Sequence, residues 1–194
     1  GQDRGAGRAC RMTAAPRRVL CLCGSLRRVS SNRAVLQAAC QLAPPALELV
    51  LYEGLGRLPP FNPDDDVDPL PPSVRALREA VGRADALLIA CPEYAHGVPG
   101  AFKNLLDWLV GSLEFPGKPI LLLNTAARGS YHAQEALAEI LCTMSAQLLT
   151  AQPVAVGLPG AGCTEAQVLA NAERCAELRA ALDVLLTEIP FGPS

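Results

Sequence analysis

The sequence predicts a single α/β domain built on a doubly wound parallel sheet of five strands in the spatial order 2-1-3-4-5. Three observations carry this expectation. From Arg17 onward, apolar strand-like runs alternate strictly with amphipathic helical stretches. The runs at 19–23 and 86–91 contain no polar residue other than cysteine, as strands covered on both faces do. Half of the 194 residues are hydrophobic but only 4% are aromatic, an Ala/Leu-rich balance that suits helices layered on a sheet rather than a β-sandwich. Right-handed crossovers then leave few arrangements open. Sheets of this kind bind ligands outside the carboxyl ends of their strands.

The elements follow in order. The first strand is read at 19–23 and its helix at 32–42, where Ala34, Val35, Ala38 and Ala39 recur at helical spacing before Pro44-Pro45 ends the pattern. Residues 47–52 alternate weakly as a second strand. The connection 53–72 is rich in Gly, Pro and Asp, and loops of that length are usually functional or mobile. Ser73 is expected to cap a helix through Val74, Leu77 and Val81. A third strand at 86–91 leads through the loop 92–100 into a helix with the face Phe102, Leu105, Leu106 and Leu109. A fourth strand lies at 119–123, a polar loop at 124–131 and a helix at 133–148. The fifth strand is read at 149–156, where Pro153 implies an edge position or a bulge. Thr164 caps a last helix over 165–186. The domain is therefore expected at 17–188, with a leader at 1–16 and a tail at 189–194. The Gly/Arg-rich start ahead of Met12 reads as expression-derived or disordered.

Composition narrows the function. The chain is long enough to bury a core without disulfides. A formal net charge of −2, with no run of five or more like charges, gives no nucleic-acid footprint. No stretch approaches the length of a membrane span. Of the eight cysteines, Cys21, Cys23 and Cys91 fall in apolar runs and Cys40 and Cys142 in helical patterns, as small hydrophobes do. Without a CxxC pair, and with only His96 and His132 as histidines, no metal-ligand spacing appears. Reduced thiols in the cytoplasm are expected.

The stretch Val19-Leu20-Cys21-Leu22-Cys23-Gly24-Ser25-Leu26-Arg27-Arg28-Val29-Ser30-Ser31-Asn32 carries the chemistry. A buried strand enters a loop of hydroxyls and guanidinium groups that launches a helix. The helix start has unsatisfied N–H groups and the positive end of the macrodipole, and Ser and Arg donors converge on it. The stretch holds more donors than one helix cap needs. It reads as an anion site, with a phosphate monoester as guest.

Two motifs fall at the carboxyl ends of neighbouring strands one and three. The first is Gly24-Ser25-x-Arg27-x-x-Ser30-x-Asn32. The second is Pro92-Glu93-Tyr94-x-x-x-Val98-Pro99-Gly100-x-x-Lys103-Asn104-x-x-Asp107-Trp108. Together they resemble the NAD(P)H-dependent FMN reductase family, which includes quinone, azo-dye and chromate reductases of flavodoxin-like fold. Leu58-Pro59-Pro60-Phe61-Asn62 is similar to the family's segment after strand two. The resemblance runs from about Arg17 to the start of the last helix. It implies that Ser25, Arg27, Ser30 and Asn32, with Ser31 beside them, hold the FMN phosphate. Pro92, Glu93, Tyr94, Ala95, His96 and Gly97 would border the isoalloxazine, the first three through backbone groups. The family usually continues Pro-Glu-Tyr with Asn-Gly-Ser, whereas this chain has Ala95-His96-Gly97; His96 is thereby a candidate proton donor or substrate contact. Arg128 and Gly129 are candidates beside the flavin or the nicotinamide phosphate.

The resemblance implies hydride transfer from NADPH or NADH, through FMN, to a quinone, an azo compound or a similar small acceptor, in a homodimer or homotetramer. No metal, nucleic acid or membrane partner is expected. Two other readings remain. One is an FMN-binding redox sensor or scaffold with little turnover. The other is a low-molecular-weight phosphotyrosine phosphatase using Cys21 and Arg27, whose Cys-x5-Arg spacing is present. Against the phosphatase, Arg28 stands where Ser or Thr belongs and no late Asp-Pro-aromatic acid appears.

Overall fold

A computed structural model describes residues 14–126 and 131–190. The first part of the expected leader and the last four residues lie outside that range, as do Arg128 and Gly129. The sheet comprises β1 (Arg17–Cys23), β2 (Leu47–Leu51), β3 (Ala86–Ala90), β4 (Pro119–Asn124) and the two-residue strands β5 (Gln147–Leu148) and β6 (Val154–Ala155). All pairings are parallel, in the order β2-β1-β3-β4-β5, and β6 pairs with β4 further along the same edge. The helices are α1 (Ser31–Leu42), α2 (Pro72–Arg83), α3 (Gly100–Val110), α4 (His132–Thr143), α5 (Glu165–Leu169) and α6 (Ala172–Glu188). The fold is flavodoxin-like.

Strand periodicity divides the core in two. Val19, Cys21 and Cys23, with Leu88, Ala90, Leu121 and Leu123, face α1 and α6. Leu20 and Leu22, with Leu87, Ile89, Ile120 and Leu122, face α2, α3 and α4. Small residues meet on the first face, where Cys21, Cys23, Ala86 and Ala90 lie with Ala34, Ala38 and Ala39 of α1. Cys21 and Cys23 share that face, as their spacing requires. Among the described residues, no helix is long and apolar enough to cross a membrane.

Four sequence-based boundaries are corrected. Pro72, not Ser73, opens α2, because its fixed φ and missing N–H suit the first helical position. The helix expected over 133–148 stops at Thr143. Ser145 adopts φ 65°, and the N–H groups of Ser145 and Ala146 close back on Cys142 and Leu141, freeing the chain to pair with β4. The fifth strand expected over 149–156 is instead two fragments flanking an unpaired stretch that contains Pro153. The last helix breaks at Asn171, whose side chain accepts from the N–H of Arg174 at 3.0 Å and starts α6. Thr164 caps α5 through a complete capping box.

The long connection after β2 is pinned rather than loose. Asn104 Nδ2 and Trp108 Nε1 both donate to the Pro59 carbonyl, at 2.9 and 2.8 Å, and Asn104 Oδ1 accepts from the Phe61 N–H at 2.7 Å. Phe61 meets the edge of the Trp108 ring at 4.9 Å. Arg78 bridges the Trp108 carbonyl and Asp66. Trp108 is fully buried and belongs to the core. Trp108→Phe removes both an indole hydrogen bond and packed volume, and is expected to lower unfolding free energy by about 1–3 kcal/mol in urea titrations.

Candidate functional site

The chain leaves β1 through Gly24, whose N–H donates to the Ala90 carbonyl at 2.9 Å. A Cβ at Gly24 would lie 2.5 Å from Cys91 Sγ, so only glycine fits. Ser25 Oγ accepts from the Arg27 N–H, tightening the loop. Ser30 is the N-cap of α1, its hydroxyl accepting from the N–H of Arg33 at 3.3 Å. Ser31 turns inward, donating to the Gly160 carbonyl at 2.8 Å and accepting from the Cys163 N–H at 3.0 Å. Asn32 Oδ1 accepts from Thr125 Oγ1 at 2.8 Å. The Asn32 amide nitrogen and the N–H groups of Ser31 and Asn32 find no acceptor among the described residues.

After β3 the backbone forms a two-residue reverse turn. Tyr94 and Gly97 exchange hydrogen bonds at 3.0 and 2.9 Å, with Ala95 and His96 at φ 48° and 59°. Both central φ values are positive, as in the I′ turn that favours Asn-Gly. His96 stacks on His132, with centroids 4.3 Å apart, and Tyr131 lies against the other imidazole at 4.2 Å. Glu93 reaches across to α4, where its carboxylate accepts from the Ala133 N–H at 2.9 Å. A carboxylate there meets the positive end of the helix.

The loop after β1 separates two cavities. One, of about 250 Å³, is bounded by Ser31, Asn32, Cys91, Pro92, Glu93, Asn124 to Ala126, Gln134, Gly160 and Ala161. Gln134 is 8% exposed and its Oε1 has no hydrogen-bond partner among the described residues. The other, of about 310 Å³, holds Ser25, Arg27, Arg28 and Arg33 with Tyr52 and Glu53. Arg33 grips Glu53 through two hydrogen bonds, at 2.9 and 2.6 Å, which hold the Glu53 carboxyl below its ordinary value. Burial pushes Tyr52 up to about 12.

The thiols at this edge are buried. Burial pushes Cys91 up to about 12 and raises Cys23. Cys21, hydrogen-bonded with Cys40 and wholly buried, titrates well above the ordinary thiol. A phosphatase needs an accessible thiolate at that position, and the complete burial of Cys21 counts against the phosphatase reading.

The structure thus brings Ser31, Asn32, Pro92 and Glu93 to one cavity and places Ser25 and Arg27 in the other. Ser30 stays at the helix cap, and Tyr94, Ala95, His96 and Gly97 form the turn. Sequence reasoning missed Asn124, Thr125, Gln134, Gly160 and Ala161. Asn124 and Thr125 stand at the carboxyl end of β4, where strand position alone would have nominated them. Gln134, in the first turn of α4, carries no local signal.

The sequence profile of the NADPH-dependent FMN reductase family matches residues 17–159. The chain belongs to that family. An NAD(P)H-dependent FMN reductase of Pseudomonas aeruginosa is 39% identical over 128 residues, covering 62% of this chain and 69% of the relative. An NADH:(hydroxy)cinnamate reductase subunit of Vibrio ruber is 32% identical over 164 residues, covering 82% of this chain and 80% of the relative. Among solved structures, a flavoenzyme NAD(P)H:(acceptor) oxidoreductase from Paracoccus denitrificans superposes with a TM-score of 0.67 at 25% identity, covering 89% of this chain and 98% of that one.

This member of the NADPH-dependent FMN reductase family has residues that fit its cofactor. The Asn32 amide and the first-turn N–H groups of α1 are donors suited to a phosphate, and the orphaned Gln134 oxygen asks for a ligand N–H or hydroxyl.

Two outcomes follow from this geometry. Ala95→Asn with His96→Gly gives the turn the residues that positive φ favours, and is expected to raise stability by about 1 kcal/mol in urea titrations. The Arg33–Glu53 pair acts through pH. Glu53 titrates lower in the folded chain than its ordinary 4.5, so the pair's contribution is complete above that value and disappears as pH falls through the folded one. Urea midpoints measured from about pH 6 to about pH 3 should fall less steeply for Glu53→Gln than for the parent.

Proposed function

We propose that this protein binds FMN in the cavity between the β1, β3 and β4 loops, and reduces quinones, azo compounds or similar small acceptors with NAD(P)H. The observation that carries this reading is a cavity at the chain reversal between β1 and β3 with unpartnered donors on one side and an unpartnered buried acceptor, Gln134 Oε1, on the other. Bound there, FMN supplies the hydride chemistry between nicotinamide and acceptor.

The chain's own residues bind, orient and exclude water. The N–H groups at the start of α1 and the Asn32 amide hold the phosphate, with Ser25, Arg27 and Ser30 contributing from the same loop. Backbone groups of Pro92, Glu93 and Tyr94 read the pyrimidine edge. The Glu93 contact with α4 fixes that segment against the cavity wall. Uncharged Cys91 lines the floor without opposing a negative flavin. His96, exposed at the turn and stacked on His132, borders the mouth, where it can meet an acceptor or give it a proton.

The sensor reading draws on Ala95-His96 replacing the family's usual pair. The turn nevertheless keeps both of its cross-bonds, which supports an intact flavin border and therefore turnover. A homodimer is part of the same reading, supported by exposed Val110 and Leu113 at the end of α3. Cytoplasmic residence is supported by the free, largely buried cysteines.

Purified protein should take up FMN, show a flavin absorption band that bleaches with NADPH, and regain the band with a quinone. Slow cycling despite reduction would make it a sensor, and no uptake would overturn the reading. Asn32→Ala and Gln134→Leu should each weaken FMN binding roughly tenfold, followed by quenching of flavin fluorescence. Sedimentation showing only monomer at micromolar concentration would overturn the dimer.

A further inference from the structure

We propose that Cys40 is a site of reversible oxidation by hydrogen peroxide, and that Cys21 resolves it by closing a disulfide between α1 and β1. These two thiols take no part in the flavin reading, which stands or falls without them.

Seven cysteines are free among the described residues. Four of the buried ones direct the S–H to a nearby carbonyl: Cys23 to Ser25, Cys91 to Pro92, Cys163 to Thr164 and Cys175 to Leu169. Cys142 is exposed on α4. Among the described residues, Cys21 and Cys40 alone are hydrogen-bonded thiol to thiol. Cys21 stands in β1 between Leu51 of β2 and Leu88 of β3, and is wholly buried. Ala38 and Ala39, just before Cys40, are small and buried against the same face, so the later turns of α1 lie close to the sheet. A short distance between strand and helix is what a disulfide requires.

Unlike its partner, Cys40 is only half-buried. It continues the stripe of Arg33 and Gln37 along α1, and those two residues line a surface cavity of about 230 Å³ with Thr164 and Glu165. Glu165 lies near enough to act on the charge of Cys40, which places the thiol at the end of that opening. The two thiols play unequal parts. Cys21 donates its S–H, which holds Cys40 below the ordinary thiol value against burial and the Glu165 carboxylate. The same bond, together with burial, holds Cys21 well above that value. Thiolate therefore forms at the accessible member, and the buried one keeps its proton. An accessible, acidified cysteine beside a second thiol is the arrangement that oxidises reversibly.

The Cys40 thiolate attacks peroxide: an S–O bond forms, the O–O bond breaks, and hydroxide leaves to take up the proton Cys40 gave to solvent. The Cys21 sulfur then attacks the Cys40 sulfur. The S–S bond forms, the S–O bond breaks, and the departing hydroxide takes the Cys21 proton as water. Two electrons pass from the two thiols to one peroxide, giving a disulfide and two waters. The closed ring encloses the whole loop 24–30 and most of α1. In a reducing compartment such a bridge is transient and redox-sensing.

The test treats the reduced whole chain with hydrogen peroxide and maps its tryptic peptides by mass without reductant. Expected are a loss of about 2 Da and a link between peptides 19–27 and 34–57, both reversed by dithiothreitol. Peptide 19–27 holds Cys21 and Cys23, so Cys23→Ala should keep the link and Cys21→Ala should abolish it. In Cys21→Ala the unresolved Cys40 sulfenic acid should accumulate and be trapped by dimedone. Cys40→Ala changes a half-buried position, and should show neither the link nor the mass loss. A bridge from Cys40 to any other cysteine would overturn the proposal, as would a link that survives Cys21→Ala. A Cys40 that stays a free thiol while exposed Cys142 is oxidised would overturn it as well.

Discussion

The architecture of the carboxyl edge depends on how closely the chain leaving β1 passes the chain leaving β3. Gly24 hydrogen-bonds to the Ala90 carbonyl while its α-carbon faces Cys91, leaving no room for a side chain. The two strands therefore stay paired to their ends before their loops separate. One loop turns to α1 on the first face of the sheet, and the other to α3 on the opposite face. The divergence of two loops from neighbouring parallel strands leaves a crevice. Cys91 at its base is held neutral by burial, so the crevice floor does not repel an anion.

Much of this was legible because the signals were local and periodic. The unbroken apolar run at 86–91 announced a strand covered on both faces, and β3 is buried at every position. The Ser and Asn cluster announced a helix start, and Ser30 caps α1. The failures share a different cause. Nothing near Met144 or Ser145 marks a helix end, because a serine in the left-handed region is imposed by the following chain returning to β4, where Gly117 donates to the Ser145 carbonyl. Gln134 and Gly160 reach the cavity only because α4 and the segment before α5 fold over the sheet. Such positions are set by tertiary packing, and single-residue patterns do not encode them.

The turn after β3 shows what packing can impose against propensity. Ala95 and His96 occupy a conformation that costs side-chain-bearing residues roughly 1–3 kcal/mol each. Reciprocal bonds between Tyr94 and Gly97 fix the turn, the His96–His132 stack ties its tip to α4, and the Glu93 carboxylate anchors its base to the same helix. Two restraints outside the strained pair, and a third made by the His96 ring itself, thus determine its shape. Within these restraints the turn presents the exposed His96 imidazole at its tip.

The two cavities embody different ways of recognising negative charge. At the start of α1 the donors are neutral amides, largely withdrawn from water, whose strength comes from alignment and a low local dielectric. At Arg27 and Arg28 the donors are full charges on exposed side chains, screened by salt over about 10 Å at 0.1 M. Neutral, buried donors favour a resident group, because exchange must break several aligned bonds without help from water. Exposed guanidinium groups favour a ligand that arrives quickly and leaves quickly, since charge accelerates encounter more than it slows release. The single loop between Gly24 and Arg33 presents amides to one side and arginines to the other.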